Sequence, residues 1–172
     1  MLLTALFSLA FFVPGGQPAA SPEAVYAPLW LYKGTWKVTK KDQPASAKPD
    51  NLLNQCALVG KYLACQQTVN GAVSALLIFV PAKSPGQYFT QSVMPDGRAG
   101  GRGDLAIEGD KWTFASNWNQ GGKTTFYKTI NVFSGKNRIH FEQQESTDNK
   151  EWKTTGSGDE VRTSAGRMTV LR

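Results

Sequence analysis

Short runs of β-branched and aromatic residues recur about every ten residues along this chain, and turn-forming residues separate them. Ten such runs are predicted strands: 34–41, 51–59, 62–69, 72–80, 87–93, 102–108, 111–118, 123–133, 137–145 and 150–160. The turns between them supply Gly or Asn where a tight reversal needs a positive φ, as at Asn70-Gly71 and Gly121-Gly122. Consecutive antiparallel strands in such number leave long exposed edges unless the sheet closes. We therefore predict an all-β fold, an up-and-down antiparallel β-barrel of about 8–10 strands.

The N-terminal residues have the pattern of a secretory signal. Residues 2–13 are uncharged and end at Pro14-Gly15-Gly16, which is about half of the roughly 20 residues that a membrane-spanning helix needs. We predict a signal peptide over residues 1–20 and export to the periplasm or the extracellular space. A buried or membrane-resting N-terminal helix is the alternative.

Three further segments follow the predicted signal peptide. Residues 21–33 form a linker and a short helical cap, since Ser21 is suited to the N-cap and Pro22 to the first helical position. Residues 34–162 form the barrel domain, and residues 163–172 form a basic C-terminal tail.

Composition and net charge limit the size of the fold and the classes of partner that this chain is expected to bind. Hydrophobic residues make up 41% of the 172 residues, so the chain is long and apolar enough to form one compact domain. The net charge is +6, but the Lys and Arg residues are scattered and no basic-aromatic module is present. We predict no nucleic-acid partner, allow a contact with the cell-envelope surface beside a small hydrophobic ligand, and expect a monomer or weak homodimer.

The two cysteines, Cys56 and Cys65, flank Gly60-Lys61 symmetrically. A two-residue type II′ turn needs a positive φ at its first central position, which Gly60 provides. Folding the chain there pairs Val59 with Tyr62 and brings the two cysteines opposite each other, at a spacing that suits a disulfide. Two buried free thiols and a metal pair are the alternatives. A disulfide over so short a loop stabilises the fold by about 2–3 kcal/mol.

Aromatic and branched side chains on alternating strand positions are the candidates for lining the barrel lumen. These predicted lumen residues are Trp36, Phe114, Phe126, Ile130, Phe141 and Trp152. A barrel of this size holds one small ligand between such side chains, or is filled by them. The run 72–80 is apolar on both faces, which predicts that the N-terminal segment or a partner covers its outer face.

Gly34-Thr35-Trp36 opens the first predicted strand just after the helical turn, and this placement resembles the Gly-x-Trp signature of lipocalins. The wider layout, including the turn Ser146-Thr147-Asp148-Asn149 before Trp152, resembles a bacterial family of lipocalin-like (calycin) barrels of unknown function. The resemblance implies that Trp36 closes one end of the barrel and that Arg162 lies over its ring. Gly34, Trp36 and Arg162 are therefore predicted structural residues.

The residues provide little for catalysis or metal binding. His140 is the one histidine, and it lies on the polar side of its strand, so we predict no catalytic residue and no metal site. We also predict no cofactor; a haem bound through His140 is the alternative, because a haem-binding branch of the calycins uses a single axial histidine.

These observations predict an exported lipocalin-like barrel that binds a small apolar or amphipathic ligand, or serves as an envelope accessory protein, without catalysis. The alternative is a cyclase- or isomerase-type enzyme that uses the same cavity. A titratable lumen group with a strongly shifted pKa would favour the enzyme, whereas an entirely apolar lumen would favour ligand carriage.

Overall fold

The computed structural model describes residues 21–166 and 169–171. Ten antiparallel strands follow one another around a closed barrel, and β10 pairs with β1. The strands are β1 (Gly34–Lys40), β2 (Asp50–Val59), β3 (Tyr62–Val69), β4 (Ala72–Pro81), β5 (Gln87–Val93), β6 (Ala99–Glu108), β7 (Lys111–Gln120), β8 (Lys123–Ser134), β9 (Arg138–Ser146) and β10 (Lys153–Ser164). The prediction of an all-β, up-and-down barrel is confirmed. The described residues include no helix whose length and hydropathy would let it span a membrane.

The last barrel strand differs most from its predicted bounds of 150–160. The turn that precedes it is held by Asp148, whose carboxylate accepts hydrogen bonds from the backbone N–H groups of Lys150 and Glu151, both at 2.9 Å. Asn149 has a φ of 60°. Because these residues are committed to the turn, β10 begins only at Lys153, and Trp152 lies outside the strand on which we predict it.

The hairpin of β2 and β3 has the predicted register. Val59 pairs with Tyr62, and Cys56 pairs with Cys65. The two cysteines form a disulfide with their Cα atoms 4.0 Å apart, and both side chains point into the core. The predicted disulfide is therefore confirmed, and it joins two strands of the barrel wall.

A short helical segment closes one end of the barrel, which we call the floor. It consists of α1 (Pro22–Val25) and a 3₁₀ helix (Ala27–Leu31). Tyr26 and Leu29 from this segment are fully buried, and the Tyr26 hydroxyl donates to the backbone carbonyl of Phe79 at 2.9 Å. The lower half of the lumen is filled in this way by the protein's own side chains.

The opposite end of the barrel is the mouth, where inward-facing side chains become solvent-exposed. Trp118 on β7 and Tyr127 on β8 lie on the same face as the core residues of their strands, yet they are 54% and 41% exposed. The barrel is thus packed below and open above. The space inside the barrel is therefore in the upper half of the lumen.

The outer face of β4 carries Leu76, Ile78 and Val80, which are half-buried. Neighbouring Val73 and Phe89 are 48% and 56% exposed. The described N-terminal residues pack at the floor, and residues 1–20, which contain the predicted signal peptide, lie outside the described residues. The predicted cover over this face is therefore not seen among the described residues.

The predicted basic tail contains a strand. Residues Thr169–Leu171 form β11, which pairs in parallel with Ala57–Val59 of β2. Strand β1 pairs only with Asp50–Asn54 of β2. The remaining edge of β2 therefore has free backbone hydrogen-bonding groups, and β11 pairs with them. Of the other described residues of the predicted tail, Thr163 and Ser164 belong to β10, and residues 165–166 follow that strand.

Candidate functional site

A cavity of about 420 Å³ occupies the upper half of the lumen. The apolar part of the lining, which we call the apolar wall, consists of inward-facing side chains from six strands: Val38, Leu52, Val69, Leu77, Phe114 and Phe141. The remaining lining is polar and includes Tyr32, Gln67, Asn131 and Glu160. Cavities of this size and mixed lining are typical of small-molecule sites.

A chain of hydrogen bonds fixes the polar side of the cavity. The Tyr32 backbone carbonyl accepts from the Trp36 indole at 3.2 Å and from Asn54 Nδ2 at 3.1 Å. Because a carbonyl only accepts, Asn54 presents its Oδ1 to Gln67, whose Nε2 donates to it at 3.0 Å. The second Nε2 hydrogen goes to the Tyr32 hydroxyl at 2.8 Å. These hydrogen bonds do not use Gln67 Oε1 or the hydrogen of the Tyr32 hydroxyl, so both groups are free to bind other partners.

Glu160 is the charged group inside the cavity. It lies on β10 beside Val38 of β1 and Ile139 of β9, one inward-facing position above Arg162. Burial raises the pKa of its carboxyl to about 7, because the ionised form loses water. No ion pair joins it to another side chain among the described residues. Its charge also raises the pKa of the nearby Tyr32 hydroxyl, after burial, which is the larger cause.

An ion pair stands at the cavity rim. Lys40 Nζ lies 3.1 Å from Asp50 Oδ2, with the two side chains 44% and 24% exposed. Hydrogen bonds from Asn70 and then Lys40 hold the pKa of Asp50 below its usual range. The two rim charges therefore compensate each other.

Asn131 adds a neutral polar group to the lining. It is only 5% exposed, and its side chain forms no hydrogen bond within the described part of the chain. A buried amide usually has a partner, so an amide that faces a cavity without one is available to a ligand.

The predicted lumen residues fall into three groups. Phe114 and Phe141 line the cavity. Trp36 is fully buried in the packed floor beneath it, edge-on to Phe133 with their ring centroids 6.5 Å apart.

Phe126 and Ile130 face away from the lumen, contrary to the predicted orientation. In the register of β7 and β8, the inward-facing Trp112 and Phe114 pair with Asn131 and Thr129. Side chains alternate along a strand, so the even-numbered residues of β8 point outward. Trp152 is also outside the lumen, in the turn before β10, where its ring lies 3.6 Å from Lys128 Nζ.

The three predicted structural residues meet at the floor. The Arg162 guanidinium carbon lies 4.4 Å from the centroid of the Trp36 ring, and Arg162 Nη2 donates to the carbonyl of Leu31. Gly34 has a φ of 121°, and a Cβ at this position would overlap the Ser164 carbonyl oxygen. These contacts join the start of β1 to the end of β10, where the barrel closes.

His140 lies on the outer face of β9. It alternates with the buried Ile139 and Phe141, and its Nδ1 is 2.8 Å from Asp159 Oδ1. An iron ion inside the lumen would be out of its reach. Residues 21–166 and 169–171 also contain no cluster of three or more His, Cys, Asp or Glu that would hold a metal ion.

Sequence reasoning did not single out Glu160, Tyr32, Gln67 or Asn131. For Glu160 a signal was present: if Arg162 faces Trp36 inside the barrel, the residue two positions before it faces inward as well. The other three depend on packing between distant strands, which has no local sequence pattern.

The chain matches no protein-family model and no curated protein sequence. Among solved structures it is similar to the crystal structure of Rv2717c from M. tuberculosis. The two chains are 14% identical with a TM-score of 0.45, over 81% of this chain and 97% of the other.

Proposed function

We propose that this protein binds one small amphipathic molecule in the upper lumen of the barrel. The observation that carries the proposal is the cavity above the packed floor, whose lining combines six apolar side chains with a set of polar groups. An apolar body would be buried against residues such as Leu77 and Phe114, and a polar group would face Tyr32 and Glu160. Each methylene buried in this way contributes about 0.8 kcal/mol.

The rigid lower half of the barrel supports this proposal. The disulfide, the plugged floor and the Arg162–Trp36 stack hold the lining strands in place before a ligand arrives. Binding then costs little further ordering of the protein, which favours affinity for a small ligand.

Export and membership of the lipocalin-like calycin barrels remain part of the proposal. The disulfide is consistent with an oxidising compartment such as the periplasm or the extracellular space. Gly34, Trp36 and Arg162 have the relative positions that the resemblance to lipocalins implies. A monomer that carries a ligand between envelope surfaces would need both export and a ligand-binding barrel.

Glu160 favours a second candidate, an enzyme of cyclase or isomerase type. A carboxyl whose pKa is about 7 is suited to accept and return a proton near neutral pH. Tyr32 beside it would donate a hydrogen bond to an oxygen of the reacting molecule. Under this candidate, Glu160 is the base and a bound molecule is converted rather than carried.

Native mass spectrometry of protein purified from its own compartment tests the proposal. We expect a reproducible added mass that solvent extraction removes. The protein should not alter the extracted compound chemically when the two are incubated together. Bare protein in every preparation would contradict binding, and a chemically altered compound after incubation would favour the enzyme.

A matched pair of variants locates the site. Leu77→Trp fills the cavity, whereas Leu76→Trp adds the same bulk on the outer face of the same strand. We expect only the former to abolish the added mass, with both variants showing the wild-type circular dichroism spectrum. Equal loss in both variants, or in neither, would contradict a lumen site.

A further inference from the structure

The charges that face the cavity do not balance. Of the three charged side chains in its lining, Lys40 and Asp50 form the ion pair at the rim. Arg162 does not line the cavity, because it stacks on Trp36 and donates to Leu31 beneath it. Glu160 is left without a counter-ion, so its ionisation places one uncompensated negative charge in the lumen of a chain with net charge +6.

The polar lining leaves several hydrogen-bond acceptors for a ligand, beside donors such as the Tyr32 hydroxyl. Both hydrogens of Gln67 Nε2 are used by Asn54 and Tyr32, so its Oε1 is the group left for a ligand. The Glu160 carboxylate supplies two more acceptor oxygens. A ligand group with several N–H donors would satisfy this set, and a positive charge on it would compensate the carboxylate.

We propose that the ligand is an amphipathic amine, and that Glu160 binds its ammonium group while the apolar wall binds its hydrocarbon body. This inference rests on the ligand-binding function proposed above and specifies the chemical class of the ligand. A fatty acid of the same shape would bring a second negative charge next to Glu160. A neutral alcohol would bury its hydrocarbon body and form a hydrogen bond, but it would not compensate the charge of Glu160.

The proposal implies a direction for the effect of pH. The charged and titratable groups that face Glu160 are Tyr32 before β1, Lys40 on β1, Asp50 on β2 and Arg162 on β10. The inward-facing residues of β9 beside it, Ile139, Phe141 and Gln143, do not titrate, and Glu145 lies nearer the mouth. Since burial raises the pKa of the free carboxyl to about 7, an ammonium ion competes with a proton for it below that pH. Amine affinity therefore rises with pH through neutrality.

Three probes with one hydrocarbon chain test the assignment: octylamine, octanol and octanoate. Their affinities for the delipidated protein are measured by isothermal titration calorimetry at about pH 8.5, where both the carboxyl and the amine are charged. We expect octylamine to bind about tenfold more tightly than octanol, and octanoate more weakly than either. At about pH 5.5 the advantage of octylamine over octanol falls by about tenfold.

Glu160→Gln removes the charge and keeps the shape. We expect this variant to bind octanol as the wild type does and to lose the preference for octylamine. The matched control, Glu108→Gln, changes an exposed glutamate at the end of β6 and leaves the preference intact.

The outcomes separate the two proposals. Octanol binding as tightly as octylamine, octanoate binding most tightly, or an undiminished amine preference in Glu160→Gln would overturn the amine assignment while the lumen site stands. If none of the three probes binds the wild type, the proposed binding function itself fails.

Discussion

The buried carboxyl of Glu160 makes the stability of the fold depend on pH in a direction opposite to that of most acids. Its pKa is about 7 in the folded protein against an ordinary value of 4.5. Between these values the unfolded chain has released the proton and the folded protein has not. The contribution of Glu160 is therefore fully present below about pH 4.5 and is lost as the pH rises through about 7.

The magnitude follows from the two values. A difference of about 2.5 between them, at 1.36 kcal/mol for each, corresponds to about 3 kcal/mol. Solvent access through the mouth reduces this to about 2–3 kcal/mol. In Glu160→Gln the side chain is neutral at every pH. We therefore expect the variant to exceed the wild type in unfolding free energy by about 2–3 kcal/mol at about pH 9, and to equal it near pH 4.

Urea unfolding followed by tryptophan fluorescence measures this difference. The comparison uses wild type, Glu160→Gln and the exposed control Glu108→Gln, each without ligand at about pH 4, 6 and 9. The control is expected to stay within about 0.5 kcal/mol of the wild type at each pH. A constant difference between Glu160→Gln and the wild type across the series would refute the burial of a charge-sensitive carboxyl in the lumen.

Three further predictions concern the closure of the barrel. Replacing Cys56 and Cys65 together by Ala lowers the unfolding free energy by about 2–3 kcal/mol in urea titrations, and addition of a reductant then has no further effect; an unchanged stability would contradict the disulfide. Arg162→Ala lowers the unfolding free energy by about 1–3 kcal/mol, and Arg162→Lys recovers only part of the loss, because the flat guanidinium stacks on an indole and an ammonium does not. Full recovery by Lys in thermal melts would contradict this stacking. Gly34→Ala lowers the unfolding free energy by about 1–3 kcal/mol, because Gly34 has a positive φ and a carbonyl lies beside it. Gly101→Ala, at a position with open space, changes it by no more than about 0.5 kcal/mol. Equal effects of the two substitutions in thermal melts would contradict the close approach.

Strand positions and hairpin registers were predictable because they depend on neighbouring residues. The turn at Gly60-Lys61 sets every pair of the β2–β3 hairpin, including the cysteines. The same reasoning applied to the two-residue turn at Gly121-Gly122 pairs Gln120 with Lys123, and hence Phe114 with Thr129. The outward orientation of Phe126 and Ile130 thus had a signal in the sequence, but the apolar residues on both faces of β8 obscured it.

The cavity itself was not predictable from local patterns. It exists because the helical segment fills only the floor. The volume left open in the upper lumen therefore depends on how far Tyr26 and Leu29 extend into the barrel. The Tyr32–Gln67–Asn54 chain joins residues from three separate elements. The strand β11 depends on the part of the β2 edge, Ala57–Val59, that β1 leaves unpaired.

A crystal structure of the protein with a terminally brominated octylamine, in which the anomalous signal locates the bromine, tests the proposed lumen site most directly. We predict one bromine peak in the upper lumen against the apolar wall of Leu77, Phe114 and Phe141, with the amine nitrogen within hydrogen-bonding distance of Glu160. A peak on the outer face of β4 beside Ile78 and Phe89, with an empty lumen, would contradict it.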